Sequence, residues 1–246
     1  MPKLMDNMEE YRVHGSSFTF SGARPETLGA TEYTLATITV DVTGSVFRFK
    51  DDLLRMLKEA VKACKKSPRA ENLMVRVVLF NEKIMELHGF RPVNAIDPDL
   101  EYKDLNPDGM TALYDATYEN LAAMFSYAKI LTDQDYGVNG ISFVITDGMD
   151  NKSSFVPSQI AKLVDEVRQN EQLESMINIL VGINVQNGEV KNALNQFKFA
   201  GKFDHYIETQ DADSKTLARL AAFVSKSISS QSQSLGSGSS SVVPSF

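Results

Sequence analysis

Tyr33-Thr-Leu-Ala-Thr-Ile-Thr-Val-Asp-Val-Thr-Gly-Ser45 is the stretch on which the reading of the fold turns. From Tyr33 to Asp41 it is β-branched and mostly apolar, the composition of a strand. The chain turns at Thr43-Gly44-Ser45, and Val46 to Cys64 then places apolar residues at Phe49, Leu53, Leu54, Leu57, Val61 and Cys64, a helical period. Pro68 closes this strand–helix unit.

The same alternation continues toward the C-terminus. Leu73 to Phe80 predicts a buried strand, and a short turn at Asn81 to Lys83 leads into Ile84 to Phe90, a hairpin on one edge of the sheet. Arg91 to Met110 reads as a loop, with Pro92, Pro98, Pro107 and the carboxylates Asp97, Asp99, Glu101, Asp104 and Asp108 against Lys103. Thr111 opens a helix to about Lys129. Val138 to Thr146 and Met176 to Ile183 are strands, Phe203 to Glu208 is an edge strand, and Pro157 to Asn170, Gly188 to Ala200 and Ser214 to Ile228 are helices.

Strands alternating with helices require crossover connections. The predicted fold is therefore α/β: a doubly wound, mostly parallel six-stranded sheet with one antiparallel edge strand and helices on both faces. Met74 to Phe80 and Ile141 to Ile145 are apolar on both faces, as a doubly covered sheet demands. The domain spans 33–229. Residues 1–32 form an N-terminal extension that is partly loop, although Phe18-Thr19-Phe20 alternates like a strand. From 230 to 246 the chain is rich in Ser, Gln and Gly, a composition that predicts a disordered tail.

Bulk properties narrow the function. With 246 residues the chain is long enough to bury a core without staples. A net charge of −7 argues against binding nucleic acid through phosphates. No apolar run approaches the roughly 20 residues of a membrane-spanning helix, so no membrane contact is expected. One cysteine, Cys64, fits a reducing compartment and a cytoplasmic location.

Chemistry concentrates at three strand-to-helix junctions. Asp41-Val42-Thr43-Gly44-Ser45 follows the first strand, Gly109-Met110-Thr111 stands at the mouth of a helix, and Thr146-Asp147-Gly148 follows Ile141 to Ile145. In a doubly wound sheet ligands bind at the carboxyl ends of strands near the switch point. Asp41, Thr43, Ser45, Thr111 and Asp147 are all oxygen donors, with no His or Cys among them. Such hard donors suit Mg²⁺, Mn²⁺ or Ca²⁺ rather than zinc or copper. The bland alternative is that each residue only caps a helix or shapes a turn.

This pattern resembles the metal-ion-dependent adhesion site of von Willebrand factor A domains: Asp-x-Ser/Thr-x-Ser, then a Thr after Gly, then Asp-Gly after an apolar strand. Asp41, Thr43, Ser45, Thr111 and Asp147 stand in those places. Gly109-Met-Thr-Ala-Leu-Tyr-Asp-Ala116 is similar to the family's helix start, and Val144-Ile145-Thr146-Asp147-Gly148 to its fourth strand. The likeness covers Tyr33 to Ile228 and departs at Thr43, where Ser is commoner, and at Met110, where a second Gly is common. It implies that Ser45, Thr43 and, in one loop state, Thr111 touch a metal directly. Asp41 and Asp147 would act directly or through water, and one position stays open for a partner's Asp or Glu. Ala222 to Ser230 is also similar to the last helix of bacterial intracellular A domains associated with tellurite-resistance and stress operons, which implies adaptor work.

The leading expectation is thus a metal-dependent protein-binding module and not an enzyme. Two rivals are an Mg²⁺-dependent hydrolase or phosphotransferase and a structural component of a phage or secretion assembly. Against the hydrolase, no base or nucleophile stands out, and position 43 is Thr where aspartyl-phosphate enzymes carry a second Asp. Asp115 is read as a favourable charge at a helix start, Asp150 and Asn151 as shaping their loop, and His14, His88 and His205 as structural.

Overall fold

The computed structural model describes residues 7–13, 18–170, 173–237 and 242–246; His14 lies outside them. Eight strands, β1 (Met8–Arg12), β2 (Thr19–Ala23), β3 (Glu32–Asp41), β4 (Leu73–Phe80), β5 (Ile84–Pro92), β6 (Gly137–Thr146), β7 (Met176–Gly182) and β8 (His205–Glu208), form one sheet. Their order is β1-β2-β5-β4-β3-β6-β7-β8. The helices are α1 (Lys50–Cys64), α2 (Pro98–Glu101), α3 (Leu113–Thr132), α4 (Pro157–Gln169), α5 (Gly188–Ala200) and α6 (Ser214–Ser234).

β3 lies at the centre, paired in parallel with β4 on one side and β6 on the other. Parallel pairing continues through β7 to β8. Side chains of β3 alternate between two cores, as a strand covered on both faces must. Ala36, Ile38 and Val40 join Ile141, Phe143 and Ile145 beneath α1 and α6. Leu35 joins Val138, Val144 and Leu180 beneath α3, α4 and α5. From β3 the chain goes through α1 to β4. It returns from β5 through α3 to β6 on the opposite side and opposite face, so the switch point falls between β3 and β6.

The sheet differs from the six-stranded expectation in two ways. It has eight strands, and antiparallel pairing occurs twice, between β4 and β5 in the interior and between β1 and β2 at the edge. β5 pairs antiparallel with β4, but β2 lies parallel beside it through Gly22 and Phe90, and β1 covers β2. The expected N-terminal extension is therefore part of the sheet. Glycine makes this approach possible: a Cβ on Gly89 would stand 1.8 Å from the Ser21 carbonyl oxygen. Ser21 N–H donates to Glu86 Oε1 at 3.0 Å, and Arg76 Nε donates to Glu86 Oε2 at 2.7 Å. Arg76 also reaches Asn120 of α3. Tyr127 of α3 stacks on Phe90 with centroids 5.0 Å apart and donates its hydroxyl to the Ala23 carbonyl at 2.6 Å.

Three other segments depart from expectation. The acidic loop contains α2, whose first turn is capped by the Asp97 carboxylate. Three of its five carboxylates are in ion pairs: Glu101 with Arg91, Asp99 with Lys62 and Asp104 with Lys50. α6 runs to Ser234, so part of the stretch expected to be a disordered tail is helical. Its polar composition is used: buried Gln231 donates to the Gly140 carbonyl and to Ser175 Oγ, and accepts Asn139 Nδ2 on its own carbonyl. Further on, Phe246 packs edge-on against Phe223 of α6.

Gly89→Ala forces β2 away from β5, an overpacking change expected to lower stability by about 2–3 kcal/mol. Gly29→Ala, where an added Cβ meets nothing within 4 Å, is the control and leaves the denaturant midpoint nearly unchanged. Equal midpoints for the two variants would contradict this packing.

Candidate metal centre

The carboxyl ends of β3 and β6 lie side by side, Val40 opposite Ile145, and each strand ends in a site loop. Asp41 is fully buried. Its Oδ1 accepts the Thr43 N–H at 2.8 Å and its Oδ2 accepts the Thr146 hydroxyl at 2.6 Å. Thr43 Oγ1 lies 3.1 Å from Ser45 Oγ, and Ser45 Oγ donates to Asp147 Oδ1 at 2.8 Å. Thr43, Ser45 and Asp147 thus form a run of side-chain oxygens, and buried Asp41 is tied to it through the Thr43 N–H.

The third loop is tied to the same place by backbone bonds. Val42 N–H donates to the Phe80 carbonyl, and Asp108 N–H donates to the Val42 carbonyl. Asn81, at the end of β4, donates its side-chain amide to the Asp108 carbonyl at 2.9 Å and accepts the Ala112 N–H on its carbonyl. Gly109 has φ +77°, a conformation that suits glycine. Thr111 is buried beside Gly148, whose added Cβ would come within 3.9 Å of Thr111 Oγ1. Among the described residues its hydroxyl makes no hydrogen bond with the other four. It adjoins the oxygen run without joining it.

Thr111 does not open the helix, as the sequence suggests. α3 starts at Leu113 with no side-chain cap from its own N-cap residue, Ala112. Instead Ser153 Oγ accepts the Tyr114 and Asp115 N–H groups, at 3.0 Å each. Asp115 accepts the N–H groups of Ser154 and Phe155, so it pins the loop after β6 in addition to any dipole effect. Asn151 clasps Thr111 from both sides: its Oδ1 accepts the Thr111 N–H at 2.8 Å, and its N–H donates to the Thr111 carbonyl. Sequence reasoning missed Thr146, Asn81 and Ser153, and understated Asn151. Only Thr146 had a visible signal, standing next to Asp147 at a strand end.

The electrostatics call for a cation. Among the described residues no basic side chain pairs with Asp41 or Asp147. Burial, with Asp147 as a second contribution, pushes the Asp41 carboxyl up to about 6, and burial raises Asp147 as well. Two carboxylates sharing a desolvated site disfavour each other's charge, and a divalent cation offsets that cost. Among the described residues there is no group of three or more His, Cys, Asp and Glu side chains suited to a metal, so hydroxyls must complete any donor set here. The chemistry of the residues present fits a hard divalent ion.

Comparison with solved structures shows a von Willebrand factor A-like fold. The PilB minor pilin from Streptococcus sanguinis superposes with a TM-score of 0.57 at 14% identity, covering 86% of this chain and 64% of the pilin. Proximal thread matrix protein 1 from the mussel byssus, in a structure with a zinc-occupied MIDAS motif, gives 0.52 at 14% identity, covering 81% and 46%. The ArnB paralog VWA2 from Sulfolobus acidocaldarius gives 0.50 at 11% identity, covering 81% and 46%. This chain thus spans 64% of the pilin's length and less than half of the other two. No family model matches the chain, and no curated protein matches it.

Asp41→Asn tests the buried charge. The folded carboxyl titrates above the usual value near 3.8, so the metal-free protein loses stability as pH rises from about 4 to about 7 and the buried charge is imposed. Chelator-treated Asp41→Asn is expected to exceed wild type by about 2–3 kcal/mol at pH 7.5 and by under about 1 kcal/mol at pH 4. Urea titrations at the two pH values measure the difference. A variant less stable than wild type at pH 7.5 would contradict this reading.

Proposed function

We propose that this chain is a metal-dependent protein-binding module, an adaptor rather than an enzyme. Asp41, Thr43, Ser45, Thr111 and Asp147 would hold Mg²⁺, or Mn²⁺ or Ca²⁺, and a partner's Asp or Glu would complete the coordination. The carrying observation is that Asp41, Thr43, Ser45 and Asp147 are hydrogen-bonded together at the switch point of the sheet, two carboxylates with no basic partner among the described residues. A bound divalent ion supplies Lewis-acid attraction for a carboxylate. The protein's own task is to hold oxygens in place and to leave the outer end, at Ser45, in solvent.

The thiol Cys64 and the imidazole His88 lie off these loops, which favours binding over thiol or imidazole catalysis here. Cys64 is buried at the end of α1, and burial pushes its thiol up to about 12. His88 is buried on β5, its ring bonded to Tyr102 and to the Gly89 carbonyl, and burial pushes its pKa down to about 4. Both serve packing. Among the described residues no helix is long and apolar enough to cross a membrane. The buried lone thiol supports a cytoplasmic setting within this proposal. The minor pilin and the pilus adhesin among the structural neighbours favour the second rival, a structural component of an assembly.

Because the Thr111 hydroxyl caps nothing, Thr111→Ala should leave the melting temperature within about 2 °C, as for a change away from any structural hydrogen bond. Immobilised protein is expected to capture a partner from native lysate in Mg²⁺ and to release it in chelator. Thr111→Ala should weaken that capture about tenfold, the loss of one oxygen contact to the ion. A parallel assay with p-nitrophenyl phosphate should show no turnover. Turnover that disappears in both Asp41→Ala and Asp147→Ala would overturn the adaptor reading.

A further inference from the structure

Each of the three loops that carry the oxygen donors also places one large apolar side chain in solvent. Phe47, two residues beyond Ser45, is 64% exposed. Met110, immediately before Thr111, is 42% exposed, and Met149, two residues beyond Asp147, is 41% exposed. Single exposed apolar residues are ordinary, but grouped ones rimmed by polar residues mark interaction surfaces. Turn positions favour Gly, Asn, Asp and Ser, so local structure does not ask for a phenyl ring and two thioethers here.

Cross-links between the loops put these side chains around one centre. The Ser45 to Asp147 hydrogen bond joins the first loop to the third. The mutual Asn151 and Thr111 bonds join the third, which carries Met149, to the second, which carries Met110. Lys50 Nζ lies 5.6 Å from the Phe47 ring centroid and pairs with Asp104, which places the ring toward the α2–α3 connection that leads to Met110. The other exposed side chains on these loops carry both signs, Glu82, Asp104 and Asp108 beside Arg48, Lys83 and Lys152.

We propose that Phe47, Met110 and Met149 form an apolar collar around the metal centre. It selects protein segments in which one Asp or Glu is flanked by bulky apolar side chains. This rests on the binding function proposed above and adds what the partner must look like. A run of acidic residues is disfavoured, because its extra charged side chains would lose water against the apolar collar. Apolar neighbours meet the collar instead, and the two flexible methionines adapt to more than one shape.

The test uses protein carrying ¹³C-methyl methionine, titrated with the peptides Gly-Ser-Leu-Asp-Phe-Ser-Gly, Gly-Ser-Ser-Asp-Ser-Ser-Gly and Gly-Ser-Asp-Asp-Asp-Ser-Gly, each in Mg²⁺ and in chelator. Met110→Ser and Met149→Ser assign the two methyl signals. The apolar-flanked peptide is expected to shift both signals only in Mg²⁺, with a Kd at least tenfold below that of the other two. Phe47→Ser should reduce this preference to about threefold or less while Mg²⁺ affinity stays within about twofold of wild type. Equal Mg²⁺-dependent binding of all three peptides would overturn the collar and leave the binding module standing. Peptide binding that is the same in chelator, or none in either condition, would overturn both. Methyl shifts that grow with protein concentration in the absence of peptide would overturn the collar in favour of self-association.

Discussion

Two carboxylates share the crevice between β3 and β6, and no basic side chain among the described residues pairs with either; the rest of the site follows from that constraint. Asp41 is buried at the end of the central strand, where parallel pairing on both sides fixes its position. Asp147 stands one residue beyond the neighbouring strand. Such a pair is costly in a low-dielectric setting unless hydrogen bonds and a cation compensate it. Thr43 and Thr146 supply hydrogen bonds to Asp41, and Ser45 supplies one to Asp147. The donors are neutral, so the negative charge is localised but not cancelled, and a divalent ion is the natural complement.

Precision then comes from the loops' ties to rigid elements. Asn81 at the end of β4 holds the segment from Asp108 to Ala112, and Asn151 holds Thr111. Ser153 caps α3 from the loop after β6, while Asp115 of α3 pins that same loop in return. Helix start and metal loop therefore depend on each other. A shift of Thr111 requires breaking its bonds to Asn151, and its neighbours Asp108 and Ala112 are held by Asn81, so the site's geometry is coupled to the seating of α3. The α3 helix in turn is clamped by Tyr127 against β5 and the N-terminal strands, which links the sheet's far edge to the site.

Much of this was legible in the sequence because its physics is local. The apolar stretches of β3, β4, β6 and β7 announce strands covered on both faces, and Asp41, Thr43, Ser45 and Asp147 announce themselves by their spacing at strand ends. What could not be read depends on partners distant in sequence. Met8-Glu-Glu-Tyr-Arg12 has three charged residues in five, and it becomes a strand because β2 is already seated against β5 over Gly89. Gln231 reads as part of a solvated tail, yet it is buried because Gly140, Ser175 and Asn139 offer it hydrogen bonds. Thr111 looks like a helix cap, and only the fold reveals that Ser153 performs that work. In each case a tertiary contact overrides the local preference.

The central claim is that Asp41 and Asp147 together create one site for a hard divalent ion. Counting bound Mn²⁺ by electron paramagnetic resonance, in wild type, Asp41→Ala and Asp147→Ala, addresses it directly. The account predicts one ion per chain in wild type, displaced by excess Mg²⁺, and none bound at the same concentration in either variant. Uptake by both variants equal to that of wild type would contradict it.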